Sequence, residues 1–124
     1  MDTSLQDRLN QIPGKILSDD FLKLCKPRCA GAGATANGLW YEGQYTEAQW
    51  IADWQMLAAR YADDPTVIGA DLHNEPHNGT WGGGGATDWA AAAERAGNAI
   101  LAVNDNWLIF VEGVATYEGQ HYWW

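Results

Sequence analysis

Hydrophobic residues follow a helical spacing in two stretches of this chain. The first stretch places apolar side chains on one face of a helix, and these are Trp50, Trp54, Leu57, Ala58 and Tyr61. Thr46 and Gln49 form a capping box before it, and Asp63-Asp64-Pro65 predicts its end. The second stretch covers about residues 88–103, with an aspartate where the helix dipole is positive. The spacing predicts two amphipathic helices and favours a core position for both tryptophans of the first.

Two other runs are apolar without polar alternation, which is typical of strands buried on both faces. Residues 66–72 form the first run and residues 107–113 the second, and Glu75 and Glu112 stand at or just beyond their ends. The order helix, strand, helix, strand predicts a right-handed crossover between parallel strands. The sequence therefore predicts an α/β fold with a parallel sheet in one domain. Residues 121–124 are predicted to lie in the loop after the second strand.

Composition excludes several classes of partner. The chain has 124 residues, a formal net charge of −9 and a pI of about 4.4. Nucleic acid and anionic membrane surfaces would repel it, so neither is an expected partner. No apolar stretch approaches the roughly 20 residues that span a bilayer, and the N-terminus lacks the basic and apolar regions of a secretory signal. The length is also below the roughly 200 residues of a complete eight-stranded α/β barrel.

Cys25 and Cys29 lie close together in the chain. They can be interpreted as half of a metal site, as a local disulfide or as two ordinary thiols. Structural zinc needs four ligands, so the disulfide or thiol interpretation is favoured. The histidines form no metal-ligand pattern with other residues, and the sequence predicts neither a metal nor a cofactor.

Residues 71–77 (DLHNEPH) carry the candidate chemistry. A glutamate at the carboxyl end of a parallel strand occupies the position where α/β barrels place catalytic groups, although an Asx-type turn that happens to contain Glu75 is the alternative. Pro76 fixes its own φ and is expected to push Glu75 into an extended conformation. Asn74 supplies a neutral donor and acceptor for a hydroxyl group. Burial among aromatic neighbours is expected to raise the pKa of Glu75, as a proton donor at neutral pH requires.

Eight tryptophans are many for a chain of this length. Tryptophan rings pack in cores, and they also stack against the apolar faces of sugar rings. An acidic, tryptophan-rich chain therefore fits a polysaccharide partner. Aromatic residues in predicted loops or at the chain end are candidates for sugar stacking, with ordinary packing as the alternative: Trp40, Tyr41, Trp81, Tyr122, Trp123 and Trp124. His73, beside the motif, is a further candidate for substrate contact.

Several stretches, in order, resemble the central part of a glycoside hydrolase family 5 cellulase, namely residues 50–53, 57–61, 71–77, 93–100 and 108–113. The resemblance covers about residues 38–124 and leaves residues 1–37 as a poorly assignable leader. It implies a partial (β/α)8 barrel in which the two predicted strands are the fourth and fifth. It also implies a secreted, retaining β-1,4-glucanase that acts on β-glucan or cello-oligosaccharides. In that enzyme Glu75 is the general acid/base, and Asn74 contacts the sugar 2-hydroxyl.

The same resemblance implies a second catalytic glutamate, the nucleophile, at the end of a seventh strand. The predicted strands stop at the fifth, so no residue of this chain is expected to be the nucleophile. Glu112 is interpreted as a supporting residue or a core-facing carboxylate, with a catalytic role as the less favoured alternative. Three hypotheses follow: an endo-acting glycoside hydrolase or a fragment of one, a non-catalytic carbohydrate-binding segment, and a misassembled, inactive fragment that exists only as an oligomer. Open edges of a partial barrel also favour a homo-oligomer.

Overall fold

The structure is a computed structural model that describes residues 15–18 and 37–123. Two helices, α1 and α2, alternate with the strands of a parallel sheet, and a hairpin follows. The helices are Glu47–Arg60 (α1) and Trp89–Leu101 (α2). The strands are Lys15–Ser18 (β1), Val67–Asp71 (β2), Leu108–Phe110 (β3), Val114–Tyr117 (β4) and Gln120–Trp123 (β5). The predicted α/β class with parallel strands is confirmed for this part of the chain.

The described parallel sheet has the order β1-β2-β3, with β2 in the middle. Asp71 at the end of β2 is in register with Phe110 on β3 and with Ser18 on β1. Strand β1 lies in the region where the sequence shows little pattern. Its four residues gain strand geometry from pairing with β2, a contact between distant parts of the chain that local spacing does not reveal.

Both predicted helices are confirmed, and each is capped by the side chain of the residue directly before it. The Thr46 hydroxyl accepts the Gln49 backbone N–H at 3.2 Å, as the capping box requires. Asp88 caps α2 by accepting the Ala91 backbone N–H at 3.0 Å. Each helix ends about two residues before its predicted limit. None of the helices in the described residues is both long and apolar enough to cross a membrane.

A cluster of indole rings forms the centre of the core. Trp50 on α1 and Trp89 on α2 lie with ring centroids 6.0 Å apart, and the ring of Trp40 fills the remaining side at 5.1 Å from Trp89. Trp54 is fully buried in the same core. The expectation that Trp50 and Trp54 are core residues is confirmed, and the cluster joins both helices beneath the sheet.

The prediction that residues 107–113 form a strand buried on both faces is wrong. Only Leu108–Phe110 is a strand, and Leu108 is 57% exposed and Val111 43% exposed. The reason is that the described residues cover only one face of β3, so the side chains on its other face stay exposed. Ile109 alone packs inward, close to Gly97 of α2.

The predicted loop at residues 121–124 is also wrong as far as Trp123, because Gln120–Trp123 is β5 and pairs with β4 in an antiparallel hairpin. Glu118 and Gly119 connect the strands with φ values of 48° and 77°. Two positive φ values in a two-residue connection match a type I′ turn, whose twist suits a hairpin. Glu-Gly is a weaker hairpin signal than Asn-Gly or Asp-Gly, which explains why the sequence did not reveal it.

Candidate active site

The candidate site lies where β2 and β3 end side by side. The Leu72 backbone N–H donates to the Phe110 carbonyl at 3.1 Å, which extends the pairing one step beyond β2. Glu75 follows four residues after the end of β2, and Glu112 follows two residues after the end of β3. Two glutamates from sequence-distant segments therefore meet at the same edge of the sheet.

The backbone of Glu75 is left-handed, with φ of 47°. The expectation of an extended Glu75 is wrong, and two hydrogen bonds give the reason. Its N–H donates to Glu112 Oε2 at 2.8 Å, and its carbonyl accepts the His77 N–H at 2.6 Å across Pro76. A non-glycine residue rarely adopts this conformation unless its surroundings hold it there.

The segment from Asn37 to Tyr41 packs against the far side of the motif. Gly38 has φ of 67°, and a Cβ at this position would lie 2.4 Å from His77 Nε2. The Gly38 carbonyl accepts the Asn78 N–H at 3.2 Å, and the Asn37 carbonyl accepts Asn78 Nδ2 at 2.8 Å. Sequence reasoning assigned this segment to a loop and missed its role. A glycine next to a hydrophobic pair is the only local signal that it offers.

The side chains of Glu75 and Asn74 are exposed. Within the described residues, the Glu75 carboxylate has no hydrogen-bond or ion-pair partner. The expected partial burial of this carboxyl among aromatic side chains is therefore not provided by the described residues. What they provide is a carboxylate that is free to meet a ligand, beside an amide that can contact a hydroxyl group.

Two candidate substrate contacts are buried. Trp40 is 1% exposed, because its ring packs within the indole cluster. His73 is 5% exposed, with its ring centroid 6.1 Å from that of Trp89, while the adjacent Asn74 is exposed. Burial argues against direct sugar contact at Trp40 and His73.

Trp40 also takes part in a polar link between the two helices. Its Nε1–H donates to Glu47 Oε2 at 2.9 Å, and Arg95 Nε on α2 donates to Glu47 Oε1 at 2.7 Å. Burial alone would raise the pKa of Glu47, but the hydrogen bonds from Arg95 and Trp40 outweigh it and hold that pKa below its ordinary value. Glu47 is therefore an ionised structural residue rather than a candidate proton donor.

Tyr41 and Trp81 are half-buried, and Trp81 directly precedes a glycine-rich loop at residues 82–85. The Tyr41 hydroxyl donates to the Ala86 carbonyl at 2.9 Å. The Asp88 carboxylate accepts the N–H groups of Gly82 and Gly84 in the same loop, at 3.1 and 2.8 Å. Hydrogen bonds from the Ala91, Gly84 and Gly82 N–H groups lower the pKa of Asp88, so its charge holds the loop in place.

The structure does not describe the side chains of the remaining candidates. Tyr122 and Trp123 lie on β5, but their side chains fall outside the described part, as does Trp124. Cys25 and Cys29 also fall outside it. Within the residues that the structure describes, no group of three or more histidine, cysteine or acidic side chains is arranged to hold a metal ion.

Known proteins resemble this chain in sequence and in structure. A family model, described as Cellulase (glycosyl hydrolase family 5), matches residues 32–123. The chain belongs to glycosyl hydrolase family 5. The matched residues include β2, β3 and the motif that carries Asn74 and Glu75, so the resemblance drawn from the sequence is confirmed.

Curated relatives in this family are endoglucanases. The chain is 60% identical over 99 residues to an endoglucanase of Paenibacillus polymyxa, a match that covers 76% of this chain and 25% of that protein. It is 56% identical over 90 residues to the major extracellular endoglucanase of Xanthomonas campestris pv. campestris, covering 71% of this chain and 18% of that protein. The chain thus spans about a quarter or less of the length of these relatives.

Solved family 5 structures share the fold of the described part. The catalytic domain of the Xanthomonas campestris endoglucanase matches with a TM-score of 0.61 and 57% identity, covering 64% of this chain and 23% of that one. A cellotetraose complex of a variant endocellulase from Pyrococcus horikoshii matches with a TM-score of 0.64 and 40% identity, covering 71% of this chain and 29% of that one. Each match covers less than a third of the solved chain.

Proposed function

We propose that this chain supplies the acid/base part of the active site of a retaining endo-β-1,4-glucanase, within a (β/α)8 barrel. The observation that carries the proposal is the exposed Glu75 carboxylate at the end of β2, on a backbone fixed from both sides, next to an exposed Asn74. Carboxyl ends of parallel strands are where barrels of this kind place catalytic groups. The endoglucanase names of the relatives support the same activity.

Glu75 has the role of general acid and then general base. As the acid, it gives a proton to the glycosidic oxygen while the bond from that oxygen to the anomeric carbon breaks. As the base, it takes a proton from the water that releases the sugar from the nucleophile. Asn74 donates to the sugar 2-hydroxyl and thereby orients the ring. Among the described residues, none is assigned as the nucleophile.

The substrate class is a β-glucan chain or a cello-oligosaccharide. The cellotetraose complex of the Pyrococcus horikoshii relative supports this class. Of the candidate stacking residues, Tyr41 and Trp81 are only half-buried, and Tyr122 and Trp123 on β5 remain candidates. The extracellular relative from Xanthomonas campestris supports secretion as the location.

The second candidate function is carbohydrate binding without catalysis, and it is favoured by the lack of an assigned nucleophile. Titration of the chain with cellotetraose, followed by tryptophan fluorescence, tests binding, and chromatography of the same samples tests for cellobiose. Binding with cellobiose release is the expected result. Binding without any product after prolonged incubation would contradict hydrolysis and support the second function.

We further propose that copies of the chain associate through β3. This edge strand exposes Leu108, with Val111 beside it, and among the described strands it pairs on one side only. Edge strands of this kind invite pairing with another chain. In sedimentation velocity, we expect the chain to exceed its monomer mass of 13.6 kDa, and Leu108→Lys to restore the monomer. Met56→Lys, at an exposed apolar position on α1, is the matched control and should leave the association intact.

A further inference from the structure

One carboxylate reaches the backbone of the catalytic motif from a neighbouring strand. Glu112 Oε2 accepts the Glu75 N–H at 2.8 Å, although the two residues are 37 positions apart in the sequence. A hydrogen bond from a backbone amide to an ionised carboxylate is among the stronger kinds in proteins. The contact arises because β2 and β3 are paired in register, so the residues just beyond their ends meet.

This hydrogen bond involves Glu75, whose backbone conformation must be stabilised by its surroundings. Glu75 is left-handed and directly precedes Pro76, which is itself fully buried. Such a conformation persists only where the surrounding structure holds it. The His77 N–H holds the carbonyl of Glu75, and Glu112 holds its N–H, so the residue is fixed at both ends of its backbone.

Glu112 is itself anchored to the core. Its carbonyl accepts Trp89 Nε1–H at 2.7 Å, and Trp89 is 0% exposed at the start of α2. The side chain of Glu112 therefore reaches Glu75 from a fixed backbone. Glu112 thus links Trp89 in the core to the backbone of Glu75.

We infer that Glu112 is a positioning residue, which sets the direction of the Glu75 carboxyl by fixing its backbone. The inference rests on the proposed function of Glu75. A nucleophile must direct its carboxylate at the sugar. An oxygen of Glu112 instead accepts the backbone N–H of Glu75, so this role differs from that of a nucleophile. Loss of this contact should misplace a carboxyl group whose action depends on its orientation.

The first measurement follows the Glu75 backbone amide by NMR in ¹⁵N-labelled chain. We expect a downfield amide proton for Glu75, and we expect Glu112→Ala to abolish that downfield shift while the remaining amides of the core keep their positions. Glu118→Ala is the matched control. Like Glu75, Glu118 is exposed and has a left-handed backbone, with φ of 48°, but it lies in the turn between β4 and β5. A Glu75 amide that is unchanged in Glu112→Ala would overturn the inference, whether or not the chain hydrolyses glucan.

The second measurement separates positioning from catalysis. Glu112→Ala should lower kcat by up to about 10²-fold with little change in KM, since a small misplacement of a catalytic group has an effect of that size. Glu112→Gln should lose much less, because its amide oxygen still accepts the Glu75 N–H. If Glu112→Gln is as inactive as Glu112→Ala, Glu112 acts through its charge and the positioning role is refuted. Failure of the proposed function is distinct, because it appears as equal rates for the native chain and Glu75→Gln.

Discussion

Replacement of Glu75 by glutamine is expected to lower the hydrolysis of carboxymethyl-cellulose by roughly 10²–10⁴-fold, the range that general acid–base groups contribute. Glutamine has nearly the same shape and keeps the backbone contacts to Glu112 and His77. What it loses is the proton that the glycosidic oxygen must receive. Binding of cellotetraose should therefore change little, while release of reducing sugar falls. The measurement pairs a reducing-sugar assay with a fluorescence titration of the same samples.

The chain offers a close control for this substitution. Glu118 is exposed like Glu75 and shares its left-handed backbone, but it lies in the turn between β4 and β5. Glu118→Gln should retain the native rate. A substrate with an aryl leaving group that needs no protonation should lose less rate in Glu75→Gln than cellulose does, because the first step then no longer depends on the acid. Equal rates for Glu75→Gln and the native chain on carboxymethyl-cellulose would refute the assignment.

Replacement of Trp89 by alanine is expected to reduce the free energy of unfolding by about 3–5 kcal/mol, the usual cost of removing a large buried aromatic side chain. Trp89 contacts the rings of Trp40, Trp50 and His73 within the core. Alanine is an excellent helix former, so the loss reflects packing rather than α2 itself. The total free energy of unfolding of a small domain is only about 5–15 kcal/mol, so this substitution removes a large share of it. Urea unfolding followed by far-UV circular dichroism measures it.

Two further variants identify the origin of that loss. Trp89→Phe keeps an aromatic ring but leaves the Glu112 carbonyl without its donor, so a loss of about 1–3 kcal/mol is expected. Trp81→Ala removes an indole that is only half-buried next to the glycine-rich loop, and it should cost less than Trp89→Ala. If Trp81→Ala and Trp89→Ala unfold at the same urea concentration, Trp89 is not the centre of the core.

The helices were predictable because their signals are local. Apolar spacing along residues 50–61 and the Thr46 cap specify α1 without reference to any other part of the chain. Asp88 specifies the start of α2 in the same way. The place of Glu75 at a strand end was predictable too, since the apolar run before it and Pro76 after it are adjacent in sequence.

The sequence by itself determined the order α1, β2, α2, β3 and the residue types at the candidate site. The tertiary structure decided which side chains face outward. Trp40 is buried against Trp50 and Trp89, and His73 is buried against Trp89, whereas none of the described residues covers Leu108 on β3. The tertiary structure also decided the backbone of Glu75, which is left-handed because a carboxylate from the next strand holds its N–H. These features depend on contacts between residues far apart in the chain, and such contacts leave no periodic trace in the sequence.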